Sequence, residues 1–136
     1  FKENNIFFFP GLHEDIDVIY KVYWHCRVIK GTEKPLYYKR DRLGSIVRTI
    51  SKEHIEGYYR SWNEIGGFTK LNVLPDQWDA YLDCFVSGIT GAVAIITLKI
   101  FNGFPEDRSA RAKLYEYSYE CSYDFENRMN IHIKFM

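Results

Sequence analysis

The sequence lacks the short motifs that mark common enzyme classes. It contains no G-x-S-x-G, phosphate-binding loop, H-E-x-x-H or dinucleotide fingerprint. Its three cysteines, Cys26, Cys84 and Cys121, are odd in number and far apart, with no C-x-x-C pair or zinc spacing. We expect buried free thiols in a reducing compartment, with one disulfide plus a spare thiol as the alternative. These absences predict a protein with no catalytic residues, no metal and no cofactor.

The sequence also lacks an excess of either charge and a long hydrophobic run. Lys+Arg and Asp+Glu number 18 each, so bulk charge does not favour nucleic acid or a membrane surface as the partner. The longest apolar run, Ala92 to Phe101, is too short for a membrane helix and is interrupted by Lys99. A chain of 136 residues is expected to form one soluble, cytoplasmic domain over residues 1–136.

The most regular pattern that is present runs from Tyr115 to Phe125. Aromatic residues and one cysteine occupy the odd positions, and Glu, Ser and Asp occupy the even ones. Strict alternation is typical of a β-strand with one buried face and one wet face. The sequence therefore predicts a strand whose tyrosines are buried and whose carboxylates are solvated, about 13 Å apart at strand rise.

Other segments complete a prediction of an α+β fold. Helices are predicted at about 52–65, after an N-cap at Ser51, and at about 77–87. The first helix has an apolar stripe that we expect in the core: Ile55, Tyr58, Tyr59, Trp62 and Ile65. Strands are predicted at Ile16–Ile29, Ala92–Phe101 and Met129–Phe135, and more weakly at Ile6–Phe9, Leu36–Lys39 and Ser45–Ile50. Runs of strands around a helical block predict a largely antiparallel, twisted sheet of about 5–7 strands with both helices on one face.

Three carboxylates on the wet face of the tyrosine segment, Glu116, Glu120 and Asp124, are the candidate partner-binding residues. At strand spacing they lie too far apart to share one metal ion or one glycosidic bond. The alternatives that stay open are an ordinary solvated face and an acidic docking face for a basic protein partner.

A second candidate is the stretch Tyr37, Tyr38, Lys39, Arg40 and Arg42. Interleaved aromatic and basic residues are what single-stranded nucleic acid binding requires, because rings stack on bases and cations follow phosphates. Asp41 reduces the positive charge of this patch, and a solvated hairpin is the simpler interpretation.

The histidines form no recognisable catalytic or metal-binding motif in the sequence. His13, in His13-Glu14-Asp15, is expected in a solvated turn, and His54 is expected to cap the first predicted helix or to be solvated. His25 and Cys26 would point to opposite faces of a strand, which opposes a Cys-His dyad.

The segment Tyr58-Tyr59-Arg60-Ser61-Trp62-Asn63-Glu64, after the Ser51-Lys52 helix start, resembles a helix motif in some immunity proteins of bacterial contact-dependent growth inhibition systems. In that motif an aromatic pair, a basic residue, a polar residue and Trp follow a Ser-Lys start. The match covers this segment only, and the helix predicted at Pro75 to Phe85 departs from the strand that the resemblance implies. The resemblance implies a protein partner, but the matching positions are predicted core and give no binding residue.

Three hypotheses follow. The first is a small non-enzymatic protein-binding domain, of the kind of an immunity protein that inhibits a basic toxin or nuclease through an acidic, Tyr-bearing surface. The second is a nucleic-acid-binding module that uses the Tyr37–Arg42 stretch. The third is a small-ligand binder or enzyme with a Tyr-lined cavity behind the tyrosine segment.

Overall fold

The computed structural model describes residues 2–38, 40 and 50–131, and these residues form a helical fold. The four α-helices are α1 (Asp15–His25), α2 (Lys52–Asn72), α3 (Trp78–Gly103) and α4 (Arg108–Met129), with short 3-10 helices at Lys2–Asn4 and Pro75–Gln77. The described residues contain no β-strand. The predicted α+β fold with an antiparallel sheet is therefore wrong.

Helix α2 is the central element, because it contacts α1, α3 and α4, while α3 also packs on α4. One hydrophobic core fills the space between these helices. Its buried members from α2, α3 and α4 are Ile55, Tyr59, Ile65, Phe85, Ile89, Ala92, Val93, Ile96, Ile100, Phe125 and Met129. Tyr58 and Trp62 pack against this cluster from its edge, so the apolar stripe predicted on the first helix does lie in the core.

Helix α2 begins where the sequence predicts and ends later. Ser51 is extended at the N-cap, and its hydroxyl lies 2.9 Å from Nδ1 of His54. The predicted end at about residue 65 is wrong, because the helix continues through Gly66-Gly67 to Asn72. Gly66 lies inside the helix against α4 and α3, because a Cβ there would lie 2.2 Å from Cε of Met129 and 3.0 Å from Cζ of Phe85, and these side-chain ends would have to shift.

The predicted tyrosine strand is α4. Its buried residues Ser118, Ser122, Phe125 and Met129 are spaced by four, three and four positions, which is the period of a helix. Asp107 caps the helix by accepting a hydrogen bond from the amide of Ala110 at 2.9 Å. The buried tyrosine face is also wrong, since Tyr115, Tyr119 and Tyr123 are exposed.

The other predicted strands are also wrong wherever the structure describes their residues. Ile16–Ile29 is mostly α1, and Ala92–Phe101 is the C-terminal half of α3. Ile6–Phe9 and residues 36–38 have no regular structure, while residues 39, 45–49 and 132–135 lie outside the described residues. The predicted helix at about 77–87 coincides with the start of the longer α3.

All three cysteines are free, but Cys26 and Cys84 are exposed, so the prediction of buried thiols is wrong for these two.

One helical stretch, Pro75–Gly103, is long and apolar enough to cross a membrane by length and composition alone. Its most apolar window has a mean hydropathy of 1.9, and 33% of that window is buried inside the fold. The core helix of a soluble protein meets the same criterion, so this finding is weak evidence about the membrane.

An ionic cluster joins α1 to α2. Nζ of Lys21 donates hydrogen bonds to Oδ2 of Asp17 at 2.9 Å and to Oε2 of Glu64 at 3.1 Å. Burial lowers the pKa of Lys21, but its hydrogen bonds to the two carboxylates and their negative charges outweigh this effect, and the net shift is upward. Since Asp17 is completely buried, Lys21 supplies the charge that compensates its carboxylate.

The N-terminal segment crosses α2 at two small residues, Gly57 and Ser61. The guanidinium of Arg60 donates hydrogen bonds to the carbonyl oxygens of Pro10 at 2.8 Å and Leu12 at 3.0 Å. The hydroxyl of Ser61 donates to the carbonyl oxygen of His13 at 2.8 Å. A Cβ at Gly57 would lie 2.3 Å from the carbonyl oxygen of Leu12, so the glycine permits this close approach.

We expect Gly57→Ala to lower the free energy of unfolding in a urea titration. Alanine would ordinarily stabilise a helix by about 1 kcal/mol relative to glycine, but here its methyl group displaces the N-terminal backbone. Gly67→Ala is the matched control, because no atom lies within 4 Å of a Cβ there and the substitution should stabilise the protein. Equal stabilisation by both substitutions would contradict the packing of the N-terminal segment on α2.

Candidate functional site

The outward face of α4 carries two parallel lines of exposed side chains. Tyrosines form one line and carboxylates form the other, each with a spacing of four residues. We call this surface the tyrosine–carboxylate face, and it consists of Tyr115, Glu116, Tyr119, Glu120, Tyr123 and Asp124. The three tyrosines are 46%, 55% and 60% exposed.

The helix brings the three predicted site carboxylates, Glu116, Glu120 and Asp124, closer together than a strand would. Side chains four residues apart on a helix are neighbours at about 6 Å, instead of the predicted 13 Å or so on a strand. The prediction that they are solvated is confirmed, since all three are exposed. The predicted spacing was wrong because the secondary structure was wrong.

The carboxylate line is unfavourable for the isolated helix. Like charges at a spacing of four residues destabilise a helix by about 0.2–0.5 kcal/mol per pair, and this line contains two such pairs. Within residues 2–38, 40 and 50–131, no cationic nitrogen lies within 4 Å of these carboxylates. The face is therefore an acidic surface whose carboxylates form no salt bridge with the described cations.

A cleft adjoins this face between α2 and α4. Its volume is about 350 Å³, and it is lined by Glu56, Tyr59, Arg60, Asn63, Glu64, Cys121, Asp124, Phe125 and Arg128. Asp124 belongs to both the cleft and the tyrosine–carboxylate face. The cleft thus extends the acidic face into a groove that carries both signs of charge.

Two groups around the cleft have perturbed pKa values. Tyr117 donates a hydrogen bond to Glu56, and this bond raises the pKa of the phenol well above its usual range. Burial raises the pKa of the Cys121 thiol, and the charges of Glu56, Asp124 and Glu120 raise it further, against the opposite effect of a hydrogen bond with Tyr117. A thiol with a raised pKa is protonated at neutral pH and is a poor nucleophile. These shifts oppose covalent catalysis in the cleft.

Metal binding gains no support from the described part of the chain. It holds no group of three or more His, Cys, Asp or Glu side chains that could coordinate a metal ion.

The aromatic and basic stretch lies in the irregular segment between α1 and α2. Tyr37 and Tyr38 are 80% and 84% exposed, and Arg40 is also exposed. Lys39 and Arg42, the other two predicted nucleic-acid contacts, lie outside the described residues. The structure therefore keeps two rings and one cation of this patch at the surface and does not bring them to α4.

A cluster that the sequence did not predict joins His13 to α2. The His13 ring stacks on Tyr58 with 3.8 Å between ring centroids, and the His54 ring lies 5.6 Å from it. Nζ of Lys99 lies 5.9 Å from the centroid of the Tyr58 ring. His54 is buried rather than solvated. Tertiary contact between distant segments forms this cluster, so no local pattern could reveal it.

The environment of His13 disfavours its charged form. Burial lowers the pKa of His13, and the nearby positive charges of His54 and Lys99 lower it further, against smaller opposite effects of Asp15 and Glu14. Its Nε2 atom is buried without a hydrogen-bond partner. Protonation would place an additional charge in the contact that holds the N-terminal segment on α2.

Comparison with protein-family models, with curated proteins and with solved structures finds no match to this chain. The comparisons therefore do not test the local resemblance of Tyr58–Glu64 to immunity proteins.

We expect the free energy of unfolding to decrease as the pH falls from about 7 to 5. The pKa of His13 is lower in the fold than the ordinary value of 6.5, so the unfolded chain binds the proton first. Stability from this group is complete above 6.5 and is lost as the pH falls towards the lower, folded pKa.

Replacement of His13 by Asn, a residue that tolerates its left-handed φ of 61°, should reduce this pH dependence in urea titrations. His25→Asn is the control, because His25 is exposed at the end of α1. An unchanged slope in His13→Asn would show that another group causes the acid sensitivity.

Proposed function

We propose that this chain is a non-enzymatic protein-binding domain whose tyrosine–carboxylate face docks on a basic protein surface. The observation that carries the proposal is the pair of exposed lines on α4, one of three tyrosines and one of three carboxylates. Tyrosine is enriched at protein interfaces, and complementary charge accelerates encounter and excludes wrong partners.

The energetics of α4 support a binding role for this face. The carboxylate line costs helix stability in the free protein, because its members repel one another. A cationic partner would remove that repulsion on binding. The same residues that weaken the isolated helix would therefore strengthen a complex.

The chemistry of the neighbouring cleft supports a non-enzymatic role. Its one thiol, Cys121, has a raised pKa, and no histidine belongs to its lining. Tyr59 is the one tyrosine in that lining, and Tyr115, Tyr119 and Tyr123 are exposed on α4. The cleft thus differs from the Tyr-lined cavity that the ligand-binding hypothesis requires.

A cytoplasmic toxin or nuclease is the partner class that we propose. The active site of a nuclease is basic because it receives phosphates, and carboxylates spaced at about 6 Å along α4 would occupy those positions. The segment Tyr58–Glu64, which resembles a helix motif of immunity proteins, lies on α2 beside this helix. An immunity-type inhibitor is therefore the specific form of the proposal.

Glu120→Lys separates binding from folding, because it changes the two in opposite directions. It converts two repulsive pairs on α4, with Glu116 and Asp124, into attractive pairs, and should raise the free energy of unfolding by about 1 kcal/mol. It should weaken binding to the basic partner about tenfold by reducing the association rate. The measurements are urea titration and surface plasmon resonance with a partner isolated by affinity capture from the native host.

Glu33→Lys is the control, because it makes the same change in net charge at an exposed position outside α4. It should leave the affinity for the partner within about twofold of the wild-type value. Equal affinity of wild type and Glu120→Lys would show that the partner does not use the tyrosine–carboxylate face.

Nucleic-acid binding is the second candidate, and the exposure of Tyr37 and Tyr38 favours it. It predicts that a fluorescently labelled single strand binds at low salt and is released as salt rises, because phosphate contacts release counterions. Replacing both tyrosines by Ala should then abolish binding, since base stacking is lost. Absence of binding by the wild-type chain at low salt would remove this candidate.

A further inference from the structure

Helix α3 has an apolar surface that the fold leaves open. Its exposed residues recur every three or four positions along one side of the helix. We call this surface the α3 outward face, and it consists of Cys84, Ser87, Gly91, Ala94, Ile95, Leu98 and Phe101. None of these residues is charged, and Ile95, Leu98 and Phe101 are 48%, 62% and 52% exposed.

Gly91, near the middle of this face, has no explanation within the described fold. A Cβ at Gly88 would lie 2.4 Å from the Trp62 ring, so packing on α2 explains that glycine. A Cβ at Gly91 would have no atom within 4 Å. Glycine lowers helix propensity, and its presence on an exposed apolar face fits the close approach of another helix, since axis separation depends on the side chains at the contact.

The two ends of α3 carry groups of opposite charge. Asp79 and Asp83 are exposed near its N-terminal end. Near its C-terminal end, the guanidinium carbon of Arg111, from α4, lies 5.5 Å from the centroid of the Phe101 ring. The apolar face is therefore bounded by acidic groups at one end and by a basic group at the other.

We propose that the α3 outward face binds the same face of a second copy of this chain, with the two α3 helices antiparallel and crossing near Gly91. This association uses a different helix from the tyrosine–carboxylate face. A twofold axis at Gly91 makes the interface isologous, so each contact occurs twice.

The antiparallel arrangement makes the two ends complementary. Asp83 lies eight residues before Gly91 and Phe101 ten residues after it, about 12 and 15 Å from the centre. Asp83 and Phe101 are also five helical turns apart, so they lie on the same side of α3. The twofold axis therefore places Asp83 of each copy beside Phe101 and Arg111 of the other copy.

A parallel pair would bring acidic groups against acidic groups, and it would align the helix dipoles unfavourably. A lipid surface is also a poorer match. Asp79 and Asp83, exposed near the N-terminal end of α3, would be repelled by anionic headgroups.

Sedimentation velocity of the full chain tests the association. The wild-type protein should sediment as a dimer at micromolar concentration, and Leu98→Glu should increase the dissociation constant at least tenfold. Leu71→Glu is the control, because Leu71 is exposed on α2, away from this face, and should stay dimeric. A wild-type chain that is monomeric at high micromolar concentration would overturn the proposal.

Charge exchange tests the orientation. Asp83→Arg and Arg111→Asp should each weaken the dimer several-fold, and the double variant should recover the wild-type dissociation constant. Failure of the double variant to recover, with each single variant folded by circular dichroism, would overturn the pairing of these two residues.

Disulfide cross-linking gives an independent readout of orientation. Gly91→Cys should cross-link two copies under oxidation, because position 91 lies at the twofold axis. The native Cys84 residues would be about 21 Å apart in an antiparallel pair and adjacent in a parallel one. Oxidation of wild type to a dimer linked through Cys84 would overturn the antiparallel arrangement.

Vesicle binding tests lipid as the alternative occupant of the α3 outward face. Cosedimentation of wild type with phosphatidylcholine vesicles, abolished by Leu98→Glu, would overturn the proposal of a second copy in favour of lipid.

Discussion

Close approach of neighbouring segments at Gly57 and Gly66 of α2 is the constraint on which the rest of the structure depends. Gly57 lets the N-terminal segment lie against one side of α2, and Gly66 lets Met129 of α4 and Phe85 of α3 approach another. A side chain at Gly57 would meet the backbone of Leu12, and one at Gly66 would force the side chains of Met129 and Phe85 to shift. The glycines weaken α2 as an isolated helix, and tertiary packing compensates for that weakness.

The tyrosine segment shows why its secondary structure could not be predicted from alternation. Residues four positions apart share a face in a strand and nearly share one in a helix, so Tyr115, Tyr119 and Tyr123 fit both structures. The discriminating residues are Ser118 and Ser122, which are buried in α4 although a strand would expose them. Burial of serine beneath exposed tyrosine reverses the usual order of hydrophobicity, and the helix N-cap at Asp107 was the local signal that opposed the strand.

Helix α2 was predictable because its pattern has one interpretation. Spacings of three and four from Ile55 to Ile65 define a helical stripe, and Ser51 marks its start. Its end was not predictable, because Gly66-Gly67 resembles a stop signal and only contacts with Met129 and Phe85 explain Gly66. In the candidate site, too, some features were predictable from the sequence and others were not. Exposure of Glu116, Glu120 and Asp124 followed from their polarity, whereas their mutual distance and the contact of His13 with Tyr58 depend on the fold.

The N-terminal segment held by Arg60 behaves as a ligand that is covalently attached to its receptor. Arg60 and Ser61 together donate hydrogen bonds to three carbonyl oxygens of this segment, those of Pro10, Leu12 and His13. A receptor binds the backbone of an extended peptide in the same way. Covalent attachment gives such a peptide an effective concentration in the range of about millimolar, so contacts too weak for a separate peptide suffice. Since these contacts use backbone atoms, they depend on the path of the segment more than on its side chains, apart from Gly11 with its φ of 129°. Apart from Ile6, which is buried, and His13, whose ring stacks on Tyr58, variation in the side chains of this segment is therefore compatible with the same docked path.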